Sequence, residues 1–123
     1  MPKDWPGLAA DFSQPLRDLR AGTPETMRSF SALARAALEA KTLDSKAKEL
    51  IALGIAVAVR CDACIAFHAE AAVKQGASRE ELMETVGMAI YMGAGPSVMY
   101  AALAVEAFDQ FAAAKSTAAA TGT

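Results

Sequence analysis

Apolar residues recur along most of this chain three and four positions apart, the period of one helix face, and they never alternate long enough to describe a half-buried strand. Within residues 7–20 the apolar row is Leu8, Phe12, Leu16 and Leu19, and Pro15 is placed to perturb that helix from inside. Thr23-Pro24-Glu25 reads as an N-cap with proline at the first helical position, opening a helix to about residue 40 that turns Met27, Phe30, Leu33, Ala34 and Leu38 inward. Asp44 or Ser45 starts the next helix, which runs to Val59. Its face carries Leu50, Leu53 and Val57, with Gly54 and many alanines small enough for a close helix approach. A helix over about 62–75 stops at Gly76. Ser78 with Glu81 is a capping box that opens a helix to about Met92, and Pro96 starts the last helix, which reaches about Ala114. The low-complexity Ala/Thr/Gly tail, 115–123, is expected to be disordered. The pattern predicts an all-α bundle of about six helices with no strand and no internal repeat.

Composition adds an assembly to that picture. At 123 residues the chain is one domain, and 54% of it is hydrophobic, rich in alanine and poor in aromatics, which suits close-packed helices. So much apolar surface on so small a chain implies that other copies cover part of it, so a homo-oligomer is expected. The net charge of -2, with signs interspersed, leaves no basic stripe for nucleic acid and no polybasic patch for a membrane surface. The first residues lack the pattern of a signal peptide, and a cytoplasmic location is expected. Residues 85–105 carry no charge, yet Gly93-Ala94-Gly95-Pro96 interrupts them, leaving halves too short to span a bilayer. Two buried helices joined by a turn are expected there, and no membrane partner.

The chemistry concentrates in one place. Both cysteines and the only histidine fall within eight residues, Cys61-Asp62-Ala63-Cys64-Ile65-Ala66-Phe67-His68. The flanking patterns put Cys61 at a helix start, so Cys64 and His68 become i,i+4 neighbours on one face. A helix N-terminus carries roughly half a positive charge and free N–H donors, which favour thiolate. Two thiols one turn apart allow one to attack a mixed disulfide or sulfenic acid formed on the other. His68 is the one side chain here that titrates near neutral pH unperturbed. Glu49 lies twelve residues before Cys61 and would reach the motif only across a helix crossing. Nothing resembles the Gly-x-Gly-x-x-Gly that holds flavin or nicotinamide, so no cofactor is expected, and reduction must come from outside the chain.

Glu49-x11-Cys61-x2-Cys64-x3-His68, in a small alanine-rich helical chain, resembles the alkylhydroperoxidase D-like core of the carboxymuconolactone decarboxylase family. The resemblance covers about residues 20–112 and includes Gly76-Ala77-Ser78-Arg79-Glu80-Glu81-Leu82. It implies an all-helical homo-oligomer, a trimer or hexamer, that reduces hydroperoxides. It also implies Cys64 as the peroxidatic thiol, Cys61 as the resolving thiol, and Glu49 and His68 as a proton relay, with an external dithiol or disulfide-reductase partner. Two departures stand out. Ala63 occupies the place where the alkylhydroperoxidase D enzymes carry a further histidine, and the longer N-terminal half of those two-repeat enzymes is missing. The decarboxylase members generally lack the cysteine pair.

Other readings of the same residues stay open. The cysteines alone fit buried small hydrophobes, and Cys61, Cys64, His68 and Glu49 together fit a zinc site, although structural zinc favours more sulfur. A lyase using His68 and Glu49, or a non-enzymatic oligomeric module, fits the family without redox chemistry. Met83, Met88, Met92 and Met99, beside Tyr91 and Tyr100, read as core or subunit-interface residues. Lys46, Lys48, Arg28 and Arg35 read as solvated helix faces without a role.

Overall fold

A computed structural model describes residues 3–120, and within them every regular element is helical. In chain order these are α1 (Trp5–Asp11), α2 (Ser13–Gly22), α3 (Pro24–Leu38), α4 (Ser45–Ala58), α5 (Asp62–Lys74) and α6 (Arg79–Ala120). α4, α5 and α6 pack against one another and form the core, α1 lies across α5 and α6, and α2 and α3 form an arm that touches the rest through α1 and α4. The fold class expected from periodicity is the one observed.

Small residues set how closely the three core helices approach. Leu53, Val57, Ile65 and Leu82 are fully or almost fully buried, and between them lie Ala56, Ala66, Ala69, Ala72, Ala104 and Ala107, none more than 2% exposed. Such a core is dense because alanine leaves little to keep helix axes apart, and its larger side chains fill the remaining gaps. Leu50, Leu53 and Val57, the face read from the sequence, all point into it.

Several expectations change. The single helix over 7–20 is two helices parted at Phe12. Pro15 causes this from three residues downstream: it has no N–H for the Asp11 carbonyl, and its ring crowds that carbonyl. In α3, Phe30 and Leu33 face outward at 59% and 62% exposure, because this arm has no core helix beneath it. Thr23 does occupy the N-cap of α3, but its hydroxyl donates to the Leu19 carbonyl and so closes α2 instead. Lys48 also has a structural role: its ammonium donates to the Ala37 and Glu39 carbonyls at the end of α3. Lys46 pairs with Glu81 at 2.9 Å.

The glycine-rich interruption is a kink at one non-helical residue, Ala94 (φ 56°, ψ -144°), where two helical stretches of α6 meet. Gly93 is required beside it, since a Cβ there would lie 1.8 Å from the Ser97 hydroxyl. Each half is buried on one face only: Leu82, Val86 and Ala89 before the break and Ala101, Ala104 and Ala107 after it lie in the core, while Met88, Tyr91, Met92, Val98 and Met99 are exposed. The helix continues through 115–120, where disorder was expected, and 121–123 lie outside the described residues. By length and composition α6 is apolar enough to cross a membrane, a property shared by core helices of soluble proteins.

Candidate functional site

The site begins with how the chain leaves α4. Val59 ends the helix, Arg60 takes a left-handed φ of 60°, and two bonds close the turn: Arg60 N–H to the Val57 carbonyl and Cys61 N–H to the Ala56 carbonyl. The chain therefore enters α5 at once, with Cys61 as its N-cap. Cys61 Sγ accepts from the Cys64 backbone N–H at 3.2 Å, the place that serine or aspartate fills in an ordinary cap. Cys61 and Cys64 are joined by a disulfide, with Cα atoms 5.2 Å apart.

His68 and Glu49 meet across the α4/α5 crossing, nineteen residues apart in sequence. Nδ1 of His68 lies 2.7 Å from Glu49 Oε1, with the carboxylate side chain 13% exposed and the imidazole 31%. The carboxylate can only accept, so Nδ1–H donates and Nε2 remains free to exchange a proton. This contact brings Glu49 to the histidine that follows the cysteines on α5. Reduced, the pair offers two thiols beside a helix start and, one turn further on, an imidazole oriented by a carboxylate. Among the described residues no three His, Cys, Asp or Glu side chains converge in a set suited to a metal ion.

The surroundings hold residues that sequence reasoning passed over. Phe67 of α5 meets Phe12 edge-to-face at 6.3 Å, so the break between α1 and α2 sits over the motif helix. Asp62, inside the motif, forms an ion pair with Lys3. Trp5 is wholly buried and donates Nε1–H to Glu106 at 2.7 Å. These contacts join positions 59 and 101 residues apart, and no local pattern announces them.

Comparison with known proteins places the chain. The model of the carboxymuconolactone decarboxylase family matches residues 24–107. A crystal structure of a carboxymuconolactone decarboxylase family protein from Legionella pneumophila, in its apo form, superposes with a TM-score of 0.85 at 51% identity, covering 88% of this chain and 96% of that one. An uncharacterized protein from Haemophilus influenzae is 39% identical over 86% of this chain and 94% of its own length. Another, from Cupriavidus necator, is 41% identical over 70% of this chain and 76% of its own length.

Proposed function

The chain belongs to the carboxymuconolactone decarboxylase family, and we propose that within it this protein is a thiol-dependent hydroperoxide reductase, more broadly a disulfide oxidoreductase, acting through Cys61 and Cys64. The observation that carries the reading is a pair of cysteines bonded across one helical turn, on the same helix as an imidazole hydrogen-bonded to a largely buried carboxylate.

In the reduced protein, Nε2 of His68 takes the Cys64 proton while Glu49 stabilises the imidazolium. The Cys64 thiolate attacks one peroxide oxygen, an S–O bond forms and the O–O bond breaks. The departing alkoxide takes the proton back from His68 and leaves as the alcohol. Cys61 then attacks the Cys64 sulfenic acid, forming the S–S bond and releasing water. Two thiols have supplied the two electrons that reduce one hydroperoxide. An external dithiol, or a disulfide-reductase partner, restores them by exchange. When it attacks the Cys64 sulfur, Cys61 leaves as a thiolate favoured by the Cys64 N–H and the helix start. A reaction that needs such a reducing pool belongs in the cytoplasm.

The test is made on fully reduced, chelator-treated protein given one equivalent of an organic hydroperoxide. Loss of both thiols with a two-proton decrease in mass, abolished by Cys64→Ser, supports the cycle. Thiols that survive no less readily than free cysteine sink it. His68→Ala is expected to slow oxidation by about 10²-fold or more, the usual contribution of a positioned acid–base group, as read by stopped-flow thiol loss. The second reading, a lyase acting on a lactone-type acid through His68 and Glu49, draws on the family and on the same hydrogen bond. It predicts an activity that survives Cys64→Ser.

A further inference from the structure

Reactive cysteines must carry negative charge, and this motif contains an acid. Asp62 is the first residue of α5, directly between Cys61 and the turn that holds Cys64. A carboxylate so near opposes thiolate formation, against the help of the helix start. It is not left bare, because the Lys3 ammonium pairs with Asp62 Oδ2.

Lys3 is delivered by a clamp. Its backbone N–H donates to Glu106 Oε1 at 3.1 Å, and its carbonyl accepts from Gln110 Nε2 at 2.6 Å. Trp5, two residues on, fixes the same two partners: Nε1–H donates to Glu106 Oε1, and the backbone N–H donates to Gln110 Oε1 at 2.8 Å. The ammonium also lies 5.4 Å from the centre of the Trp5 ring. Two α6 side chains thus hold the segment 3–5 so that one cation reaches the first turn of the motif helix. Among the charged and titratable groups on the elements packed here, Glu106 is held by the clamp, Glu49 and His68 pair with each other, Asp4 caps α1 by accepting from the Gly7 N–H, and Arg60 is exposed. The Lys3 and Asp62 side chains are 45% and 36% exposed, and a pair so solvated adds little to folding stability. Its consequence is the local charge.

We propose that Lys3 is a positioning residue for the thiol site, neutralising Asp62 so that thiolate forms at Cys61 or Cys64 beside an ion pair instead of beside an isolated carboxylate. The inference rests on the thiol reading above, but its test does not use peroxide. The rate at which the fully reduced, full-length protein displaces iodide from iodoacetamide, measured against pH, gives the titration midpoint of the reactive thiol.

Lys3→Met should raise that midpoint and reduce the thiolate fraction at pH 7 about threefold, the size expected for one partly solvated charge several ångströms away. Lys3→Arg should keep the wild-type profile, and Asp62→Asn should lower the midpoint. Adding Asp62→Asn to Lys3→Met should cancel the rise, and about 1 M salt should shrink the Lys3→Met effect. Trp5 is the only tryptophan, so its emission reports whether the clamp stays docked in each variant. An unchanged midpoint in Lys3→Met overturns the proposal. So does a rise that persists in the double variant or that appears only when Trp5 becomes exposed. If the thiol titrations come out as expected while hydroperoxide leaves the thiols intact, the peroxidase reading falls and the role of Lys3 stands.

Discussion

Arg60 and Gly76 perform the same backbone task with different side chains. Each follows a helix in the left-handed region, at φ 60° and φ 81°, and each sits inside the same pair of closing bonds; for Gly76 these run from Gly76 to Val73 and from Ala77 to Ala72. Glycine does this at no steric cost, whereas arginine meets its own carbonyl through Cβ. Gly76 is therefore legible in the sequence as a stop, and Arg60 is not, since nothing in an arginine announces a left-handed residue. The helix ends on either side place a turn at Arg60, but its left-handed conformation, which aims Cys61, is what the sequence does not state. Arg60→Gly should relieve the strain at some cost in unfolded-chain entropy, for a net gain of about 0.5–1 kcal/mol in urea unfolding. The disulfide should still form, because the turn itself is kept. The site shows the same division between what the chain states and what only packing decides. Cys61, Cys64 and His68 are legible because they crowd into about two helical turns, but the Glu49 contact depends on where two helices cross.

At the scale of elements, the signals that held are those satisfied locally. Ser78 and Glu81 form the reciprocal box their spacing predicts, with Ser78 N–H donating to Glu81 Oε1 at 2.8 Å and Glu81 N–H to the Ser78 hydroxyl at 3.0 Å. Ser78→Ala should cost about 1 kcal/mol in thermal or urea unfolding. The Glu81 carboxyl is held below its ordinary value, first by the Ser78 backbone N–H and then by Lys46. A depressed folded-state value stabilises above the unfolded value, roughly pH 4.3, and that contribution is lost as pH falls through the folded one. The melting temperature of wild type should therefore exceed that of Glu81→Gln at pH 7 and converge on it in acid. If the two stay apart to the lowest pH at which both fold, the carboxylate is not the cause. Thr23 with Pro24 marked the start of α3 correctly, but its hydroxyl caps nothing there, because a carbonyl of the preceding helix lies within its reach, a choice that depends on the turn angle between α2 and α3.

For the whole molecule, the apolar pattern was read correctly as helical, and as inward correctly for Leu50, Leu53 and Val57 of α4 but not for Phe30 and Leu33 of α3. Periodicity identifies which side of a helix is apolar but not what lies against it. In α4, Ile51 and Ile55 face outward beside Met88 and Met92 of α6, and with Gly54 and Ala58 they line an apolar groove of about 490 Å³; Val59, just past the helix, is exposed too. Tyr91 and Met92 of α6 are 78% and 75% exposed, and Val98 and Met99 continue past the break at Ala94. Together these side chains leave on the order of 1,000 Å² of apolar surface in water, beyond the few hundred that a monomer usually shows. That area per partner matches an ordinary protein interface, which buries about 800 Å² on each side. A second copy of the chain is the occupant that composition and family resemblance both imply, and the mass in solution should be a multiple of 12.8 kDa. Ile55→Asp with Met92→Asp would place two carboxylates in the buried centre and should shift sedimentation to the single-chain mass. Trp5 emission should stay unchanged, because Trp5 packs on α6 through Glu106 and Gln110, away from these positions. A wild-type protein that sediments at 12.8 kDa without added lipid would remove the second copy as the answer. Partition of that monomer into lipid vesicles would then point to α6 meeting a membrane surface instead.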